Sequence, residues 1–347
     1  MKKKKMIKAL TGVTGAAVML SGYAPAATHV EAIAEEATRL HSQYALTAQP
    51  GEAAAFMPVS DFQGRFSFDQ DELSPSDDAF NLFGTVLTGM CAKPAFAFEG
   101  ARSDYYINVG GNIKKSYYVN LKELESREES RVMLCSCATG PATANVKAVG
   151  VPVEDILQLS EDAMECNTVT FVSSDGYEES LPLSYVLEKR AMIVYRVNDS
   201  ALPSGTQLYV PETVAKYFTR DVVDIDLSIR DEVPVIEGRD AKYRAQVAIL
   251  NNADECEFIP GNEITFEGYA DDCGDPIVAV EFSLDGGENW KSYATPDATA
   301  DRWVYWRFAF TPETAADYQL SVRARTASGN VSPLEAKLLF SVKQVVI

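Results

Sequence analysis

Residues 278–287 read VAVEFSLDGG, and this stretch decides the fold of the C-terminal part of the chain. Its apolar side chains alternate and therefore share one face of a predicted β-strand: Val278, Val280, Phe282 and Leu284. The strand ends at residues 285–287, DGG, a strong signal for a hairpin turn. The same alternation recurs at 304–310 and 318–324. This pattern predicts a β-sandwich over residues 229–347.

The chain before this sandwich combines short predicted strands with short predicted helices. Strands are expected near 105–109, 131–138, 169–173, 191–195 and 207–210, and helices near 122–126, 151–157 and 183–188. This irregular mixture predicts an α+β domain over residues 80–228 rather than a doubly wound sheet. No glycine-rich phosphate loop follows a predicted strand, so dinucleotide binding is not expected.

The N-terminus has the layout of a secretory signal peptide, which we predict over residues 1–26. Five lysines among the first eight residues precede an apolar run at 9–20 that is too short to span a bilayer, and small residues follow at 24–27. Tyr23 stands where a lipoprotein signal would need Cys. We therefore expect export to the periplasm or cell exterior without a lipid anchor. Residues 27–79 are predicted to form an acidic, weakly structured tether.

The composition excludes several classes of function. The 347 residues include 31 Lys and Arg against 50 Asp and Glu, a net charge of −19, and loss of the leader with its five lysines would make the balance −24. Such an acidic chain is not expected to bind nucleic acid. Both histidines, His29 and His41, precede the patterned part of the chain. Ser/His/Asp triads, Cys/His pairs and His-ligated metals are therefore not expected in the folded part.

Three ordered segments of the predicted sandwich carry a family resemblance: VEFSLDGGENW at 280–290, WVYW at 303–306 and RARTASG at 323–329. They resemble the immunoglobulin-like dimerisation domain of sulfite-oxidase-type molybdenum enzymes. Further segments are similar to the molybdopterin-binding domain of that family: YINVGG at 106–111, GVPVEDIL at 150–157 and VYRVN at 194–198. The resemblance covers about residues 104–333. It implies a sulfite-oxidase-like mixed α+β domain followed by an immunoglobulin-like β-sandwich that would pair two subunits as a homodimer.

The resemblance implies a molybdenum ligand at Cys137, because a strand-end cysteine supplies the one protein bond to the metal in that family. A soft thiolate suits a metal that cycles by two electrons while passing an oxo group. Contacts to the cofactor are implied for five further residues: Ala138, Thr139, Gly140, Tyr209 and Arg220. Cys135 is the competing candidate for the ligand. Residues two apart in a strand lie roughly 6.5–7 Å apart, near the outer limit for a disulfide, so a Cys135–Cys137 bridge is not expected.

The sequence departs from the family pattern where the pterin is held. The family has His-Gly-x-Pro-Leu-Arg where residues 204–209 read SGTQLY, and Lys-Trp where residues 220–221 read RD. Its Cys-Ala-Gly-Asn step reads CATG at 137–140. A buried pterin phosphate must meet cations or several backbone amides. Arg220 is the expected cation, and three further residues are candidate helpers: Lys147, Arg190 and Arg196.

Two hypotheses of function follow. The first is an exported oxidoreductase that uses a molybdenum–molybdopterin centre for oxo transfer or two-electron reduction of a small substrate, with an unidentified redox partner. Sulfite is not the expected substrate, because the acidic protein repels an oxyanion. The alternative is a cofactor-free relative that acts as an extracytoplasmic binding or assembly protein. The leader favours this alternative, since it lacks the twin arginine that exported members of the family usually carry.

The six cysteines suit an oxidising compartment. We expect a disulfide between Cys256 and Cys273, which flank the first strands of the predicted sandwich, and a second between Cys91 and Cys166. If Cys137 binds a metal, five cysteines remain and one must stay unpaired; if it does not, all six could pair. A count of free thiols therefore distinguishes a metal-binding Cys137 from a chain in which all six cysteines are paired.

Overall fold

The computed structural model describes residues 55–75, 105–157, 163–202, 205–250 and 258–344. The strands fall into a central region, residues 105–228, and a C-terminal region, residues 246–344 together with the N-terminal strand β1 (Gly64–Asp69). Among the described residues, each region is built on two sheets.

The central region has two five-stranded sheets in the part of the chain that the structure describes. The first runs in the order β10 (Gln207–Tyr209), β8 (Met192–Val197), β5 (Thr143–Pro152) and β4 (Glu129–Ser136), with β9 (Ser200–Ala201) on β8. The second runs in the order β3 (Tyr117–Asn120), β2 (Tyr106–Gly111), β11 (Val222–Ser228), β6 (Thr168–Ser173) and β7 (Glu178–Pro182). Strand β11 is parallel to β2 and antiparallel to β6. Cys137 follows β4, so the first sheet positions the predicted metal ligand.

The α+β fold class predicted for this chain is wrong, because strands make up 47% of the structure and helices 11%. The α-helices described are short: α1 (Val153–Leu157) and α2 (Leu183–Glu188). Short 3-10 helices occur at Leu121–Arg127, Ala163–Glu165, Ala215–Tyr217 and Ala241–Tyr243. The helix predicted over 151–157 begins only at Val153, because Val151 and Pro152 still belong to β5. β-branched valines favour this extended backbone.

The C-terminal region places two four-stranded sheets around one apolar core. One sheet runs in the order β1, β16 (Val304–Phe310), β13 (Ile264–Asp271) and β12 (Gln246–Ile249). The other runs in the order β15 (Lys291–Ala294), β14 (Ile277–Ser283), β17 (Ala316–Thr326) and β18 (Ala336–Val342). Phe282 of β14 stacks on Phe308 of β16 with ring centroids 4.2 Å apart, and Trp306 beside them is fully buried. The predicted apolar face of β14 meets this core through Val280, Phe282 and Leu284. The prediction is wrong for Val278, which is 39% exposed, because a register shift between Ile277 and Ala279 turns Ile277 into the core instead.

The predicted tether, residues 27–79, contains strand β1. This strand pairs antiparallel with β16 from Gly64↔Phe310 to Asp69↔Tyr305. The predicted signal peptide, residues 1–26, lies outside the described residues, and the four domain boundaries stay predictions. Within the described ranges, none of the helices combines the length and apolar character needed to cross a bilayer.

Candidate functional site

The hairpin of β4 and β5 carries Cys137 at one edge of the first sheet. The two strands pair as far as Ser136↔Thr143, and Cys137 is the first residue after β4. The Cys137 amide donates to the Ala142 carbonyl at 2.8 Å and closes the loop 137–142. Cys137 is only 1% exposed, and its thiol is free in the described structure. The loop thus fixes the backbone of the predicted ligand while the thiol stays out of bulk water.

Three of the predicted cofactor contacts share this loop. Ala138 is half-buried, Thr139 is exposed and Gly140 is buried. The Ala138 carbonyl accepts a hydrogen bond from the Asp240 amide at 2.8 Å, so the loop is also held by the segment that leads to the C-terminal region. These residues lie next to Cys137 as predicted from the sequence order, and their role in binding stays a prediction.

The other two predicted contacts, Tyr209 and Arg220, lie at the opposite edge of the same sheet. Tyr209 ends β10, and Gln207 of that strand bridges to Arg220. The Tyr209 side chain is fully buried and packs on Phe218 with ring centroids 4.6 Å apart. Burial raises the pKa of Tyr209 well above its ordinary value, the Cys135 thiol raises it further, and the Arg220 charge lowers it. The Tyr209 hydroxyl is therefore within electrostatic reach of Arg220 and of the competing ligand candidate Cys135.

Several buried hydroxyl groups around residues 219–222 find no hydrogen-bond partner among the described residues: Tyr209 Oη, Thr219 Oγ1 and Ser173 Oγ. They are neighbours through the backbone, since Leu208 donates to the Thr219 carbonyl and Ser173 pairs with Val222. Asp221 lies in the same segment with a φ of 42° and accepts a hydrogen bond from the Ser174 hydroxyl. A buried hydroxyl without a partner costs about 1–3 kcal/mol. These three hydroxyl groups are therefore buried donors without a protein partner among the described residues.

The three candidate helper cations are each engaged with carboxylates. Lys147 pairs with Asp199 at 2.9 Å, and Arg196 pairs with Glu128 at 2.7 Å. Arg190 pairs with Glu129 and, at 2.7 Å, with Glu154. These contacts occupy the charges that the sequence suggested for a pterin phosphate.

Sequence reasoning missed a buried ionic cluster beside Cys137. The Arg239 and Asp271 side chains are both 0% exposed and pair at 2.8 Å, and Arg239 Nε donates to the Cys137 carbonyl at 3.2 Å. Cys273 lies next to them, and burial raises the pKa of its thiol to about 12 although Arg239 opposes the shift. The adjacent acids 271–272 at a strand end were the available signal, but their partner is distant in sequence. Cys273 is a free thiol in the described structure, Cys256 and Cys91 lie outside the described residues, and both predicted disulfides stay predictions.

Comparison with known proteins relates the chain to one family. The family model for the oxidoreductase molybdopterin binding domain matches residues 95–232. Sulfite oxidase of Gallus gallus is 24% identical over 304 residues, which is 70% of this chain and 66% of the chicken protein. Sulfite oxidase of Arabidopsis thaliana is 24% identical over 114 residues, 30% of this chain and 29% of the plant protein. The chain thus spans less than two thirds of the length of either curated relative.

One solved structure shares the fold over nearly the whole chain. The sulfane dehydrogenase SoxCD from Paracoccus pantotrophus superposes with a TM-score of 0.59 at 17% sequence identity, covering 94% of this chain and 86% of that chain. The match extends through both regions described above, including the sandwich that follows residue 232. The family model, the curated relatives and this shared fold all support a divergent likeness to the sulfite-oxidase-type molybdopterin oxidoreductases, with residues 95–232 matching the molybdopterin binding domain.

Proposed function

We propose that this protein is an exported oxidoreductase that binds a molybdenum–molybdopterin centre through Cys137. The observation that carries the proposal is the Cys137 thiol, which is buried at the end of β4 with its amide and carbonyl held by Ala142 and Arg239. A soft, fixed thiol donor fits one protein bond to molybdenum. When bound, the centre would supply oxo transfer or two-electron reduction at the metal.

The polar end of such a cofactor fits the segment around Arg220. Tyr209, Thr219 and Ser173 offer buried hydroxyl donors that lack partners among the described residues, and the Arg220 charge acts on the Tyr209 hydroxyl. Hydroxyl donors with one cation would replace the His and Arg that the family uses for the phosphate. In this proposal Cys137 and residues 138–140 hold the metal side, while Tyr209 and Arg220 hold the pterin side.

The substrate that we propose is small and is not sulfite. The chain carries a net charge of −19, and Lys147, Arg190, Arg196 and Arg239 are each paired with carboxylates. A dianion would therefore meet repulsion over the surface and few available positive charges near the site. A neutral or weakly charged substrate would not be repelled by the negative charge of the protein.

Export, the redox partner and self-association are further parts of the proposal. The lysine-rich leader and its short apolar run support export to the periplasm or cell exterior. An oxidoreductase of this type needs an electron acceptor or donor, which we propose to be a separate redox partner. The family resemblance of segments 280–290 and 323–329 supports a homodimer through the sandwich.

Elemental analysis of the full chain purified from its native host tests the proposal. We expect about one molybdenum per chain in the wild type, none after Cys137→Ser, and retention of the metal after Cys135→Ser. Cys166→Ser, which lies outside the β4/β5 hairpin, is the matched control and should also retain it. Metal-free wild-type protein from the native host would overturn the proposal and favour the cofactor-free binding or assembly protein. Loss of the metal in Cys135→Ser alone would move the ligand to Cys135.

A further inference from the structure

A buried cluster of charged and polar side chains contacts the end of β4, and its residues come from three separate parts of the chain. Arg239 comes from the segment between the two regions, Asp271 from the end of β13 and Ser136 from the end of β4. The Arg239 and Asp271 side chains are both 0% exposed. Charged side chains are rarely buried to this degree unless they are paired, and Arg239 Nη2, which makes no hydrogen bond among the described residues, is paired with Asp271 by charge at 2.8 Å.

Each of the three nitrogens of the Arg239 guanidinium contacts a different residue. Nε donates to the Cys137 carbonyl at 3.2 Å, Nη1 donates to the Tyr243 carbonyl at 3.2 Å, and Nη2 lies 2.8 Å from Asp271 Oδ2. A lysine could not make these contacts together, because its ammonium is a single point of charge and the guanidinium is a planar fork. The geometry therefore depends on arginine at this position.

Asp271 also contacts the end of β4 through its carboxylate. Its Oδ2 accepts from the Ser136 hydroxyl at 3.1 Å, and its Oδ1 accepts from Gln246 Nε2 at 2.6 Å. Ser136 and Cys137 are adjacent, so the ion pair holds one residue through its side chain and the next through its carbonyl. The Asp240 amide adds a third contact, to the Ala138 carbonyl.

A buried ion pair of this kind contributes little net stability, because the cost of desolvating two charges offsets their attraction. Its effect is to select one arrangement of the groups it contacts. We propose that Arg239 is a positioning residue for Cys137: its ion pair with Asp271 fixes the loop that carries the thiol, so that the C-terminal region forms part of the ligand site. The inference rests on the proposed function only in taking Cys137 as the ligand.

Alkylation of the Cys137 thiol tests the inference without requiring metal. The full chain is produced without cofactor, treated with iodoacetamide under native conditions, and the peptide containing residue 137 is quantified by mass spectrometry. Reaction at a thiol that is 1% exposed requires local opening of the loop. Loss of the charge-assisted bond to the Cys137 carbonyl in Arg239→Lys should speed this reaction about tenfold to a hundredfold.

Two further variants separate positioning from general stability. Arg239→Met combined with Asp271→Asn removes both charges and keeps an acceptor for Ser136, so folding is retained while the Cys137 carbonyl loses its donor. Arg244→Gln is the matched control, because Arg244 lies in the same segment and its Nε is 3.9 Å from Asp272 rather than near Cys137. Hydrogen exchange of the β14 peptide, measured in parallel, reports on global unfolding.

The inference is supported if Cys137 alkylation accelerates in the Arg239→Lys and double variants while β14 exchange and the Arg244→Gln rates stay at wild-type values. It is overturned if the Cys137 rate is unchanged, or if it rises only in proportion to exchange in β14. Molybdenum content of the same variants from the native host is a separate readout. Absence of metal in the wild type would defeat the proposed function and leave the alkylation result standing.

Discussion

The Ser74 hydroxyl accepts a hydrogen bond from the backbone N–H of Asn145 at 3.0 Å, and the backbone N–H of Ser74 donates in return to the backbone carbonyl of Asn145 at 2.8 Å. This reciprocal pair attaches the segment that follows β1 to strand β5 of the central region. Because β1 itself belongs to a sheet of the C-terminal region, residues 64–74 join the two regions. The junction lies on the same hairpin that carries Cys137.

Asn145→Ala should destabilise the whole chain by about 2–4 kcal/mol. The Asn145 side chain is buried, and its Nδ2 donates to the carbonyls of Gln70 and Glu72 at 2.9 and 3.0 Å. Removing the donor leaves both carbonyls without that bond. Urea denaturation followed by circular dichroism measures the change. Asn262→Ala, at an exposed position, is the control and should change stability by less than about 0.5 kcal/mol. Equal effects of the two variants would show that the Asn145 side chain does not stabilise the contact between residues 70–74 and β5.

Tyr209→Phe should leave the cofactor-free chain as stable as the wild type, or more stable by up to about 1 kcal/mol. The reason is that the Tyr209 hydroxyl is buried without a hydrogen-bond partner among the described residues, so its removal relieves a desolvation cost. In protein from the native host the same change should lower molybdenum retention, since the proposed pterin contact is lost. Tyr318→Phe is the control: its hydroxyl donates to the Thr314 carbonyl at 2.7 Å, and its loss should destabilise.

The sandwich strands could be predicted from the sequence because large apolar residues alternate along them with smaller or polar ones, although six of the seven residues of β14 and of β16 are buried. The apolar alternation at 278–284, 304–310 and 318–324 coincides with β14, β16 and β17. Strand β5 (Thr143–Pro152) was not predicted, since nine of its ten residues are buried and the period of two disappears. The helices predicted in its neighbourhood are short because the valines there extend the strand. Helices do occur near 121–127, 153–157 and 183–188 as predicted, so the local patterns missed a buried strand rather than adding helix.

Part of the candidate site could be predicted from the sequence, and part of it could not. Cys137 and residues 138–140 are adjacent in sequence, so a family pattern could locate them together. The contact of Arg239 with Cys137 spans 102 residues, and the contact of Asp271 with Ser136 spans 135. No periodicity or local motif encodes such separations. A buried ion pair also lacks the hydrophobic signature by which core residues are recognised, so only the fold could bring it to the ligand loop.

Glu281→Gln should reduce the stability of the chain at pH 7 by about 1–3 kcal/mol. Burial alone would raise the pKa of Glu281, but hydrogen bonds from Arg325 and Arg323, at 3.0 and 2.5 Å, outweigh it and hold that pKa below its ordinary value. A carboxylate with a lowered pKa contributes stability above its unfolded pKa and loses it as pH falls through the folded one. The deficit of the variant should therefore shrink on acidification below about pH 4.5. Denaturant titrations at several pH values check this, with exposed Glu288→Gln as control; a deficit independent of pH would contradict it.

Asp272 should show the opposite pH dependence. Its side chain is buried, and burial raises its pKa from 3.8 to about 6, with Asp271 adding to the rise while Arg239, the Ala245 amide and Arg244 oppose it. A carboxyl group whose folded pKa lies above its unfolded pKa favours the folded state when protonated. Its contribution is therefore fully present below pH 3.8 and is lost as pH rises towards about 6.

Asp272→Asn should accordingly stabilise the chain at pH 7.5 by up to about 3 kcal/mol. The variant removes a charge that is costly to bury, and the gain should fade as pH falls from about 6 to about 4, where the wild-type carboxyl is protonated in the folded chain. Denaturant titrations of both proteins across this range measure the difference. Asp297→Asn, at an exposed position, is the control and should follow the wild type at every pH. Destabilisation by Asp272→Asn at pH 7.5 would mean that Arg239 depends on Asp272 as well as on Asp271 for its charge partner, and the Cys137 loop would then be held by both carboxylates.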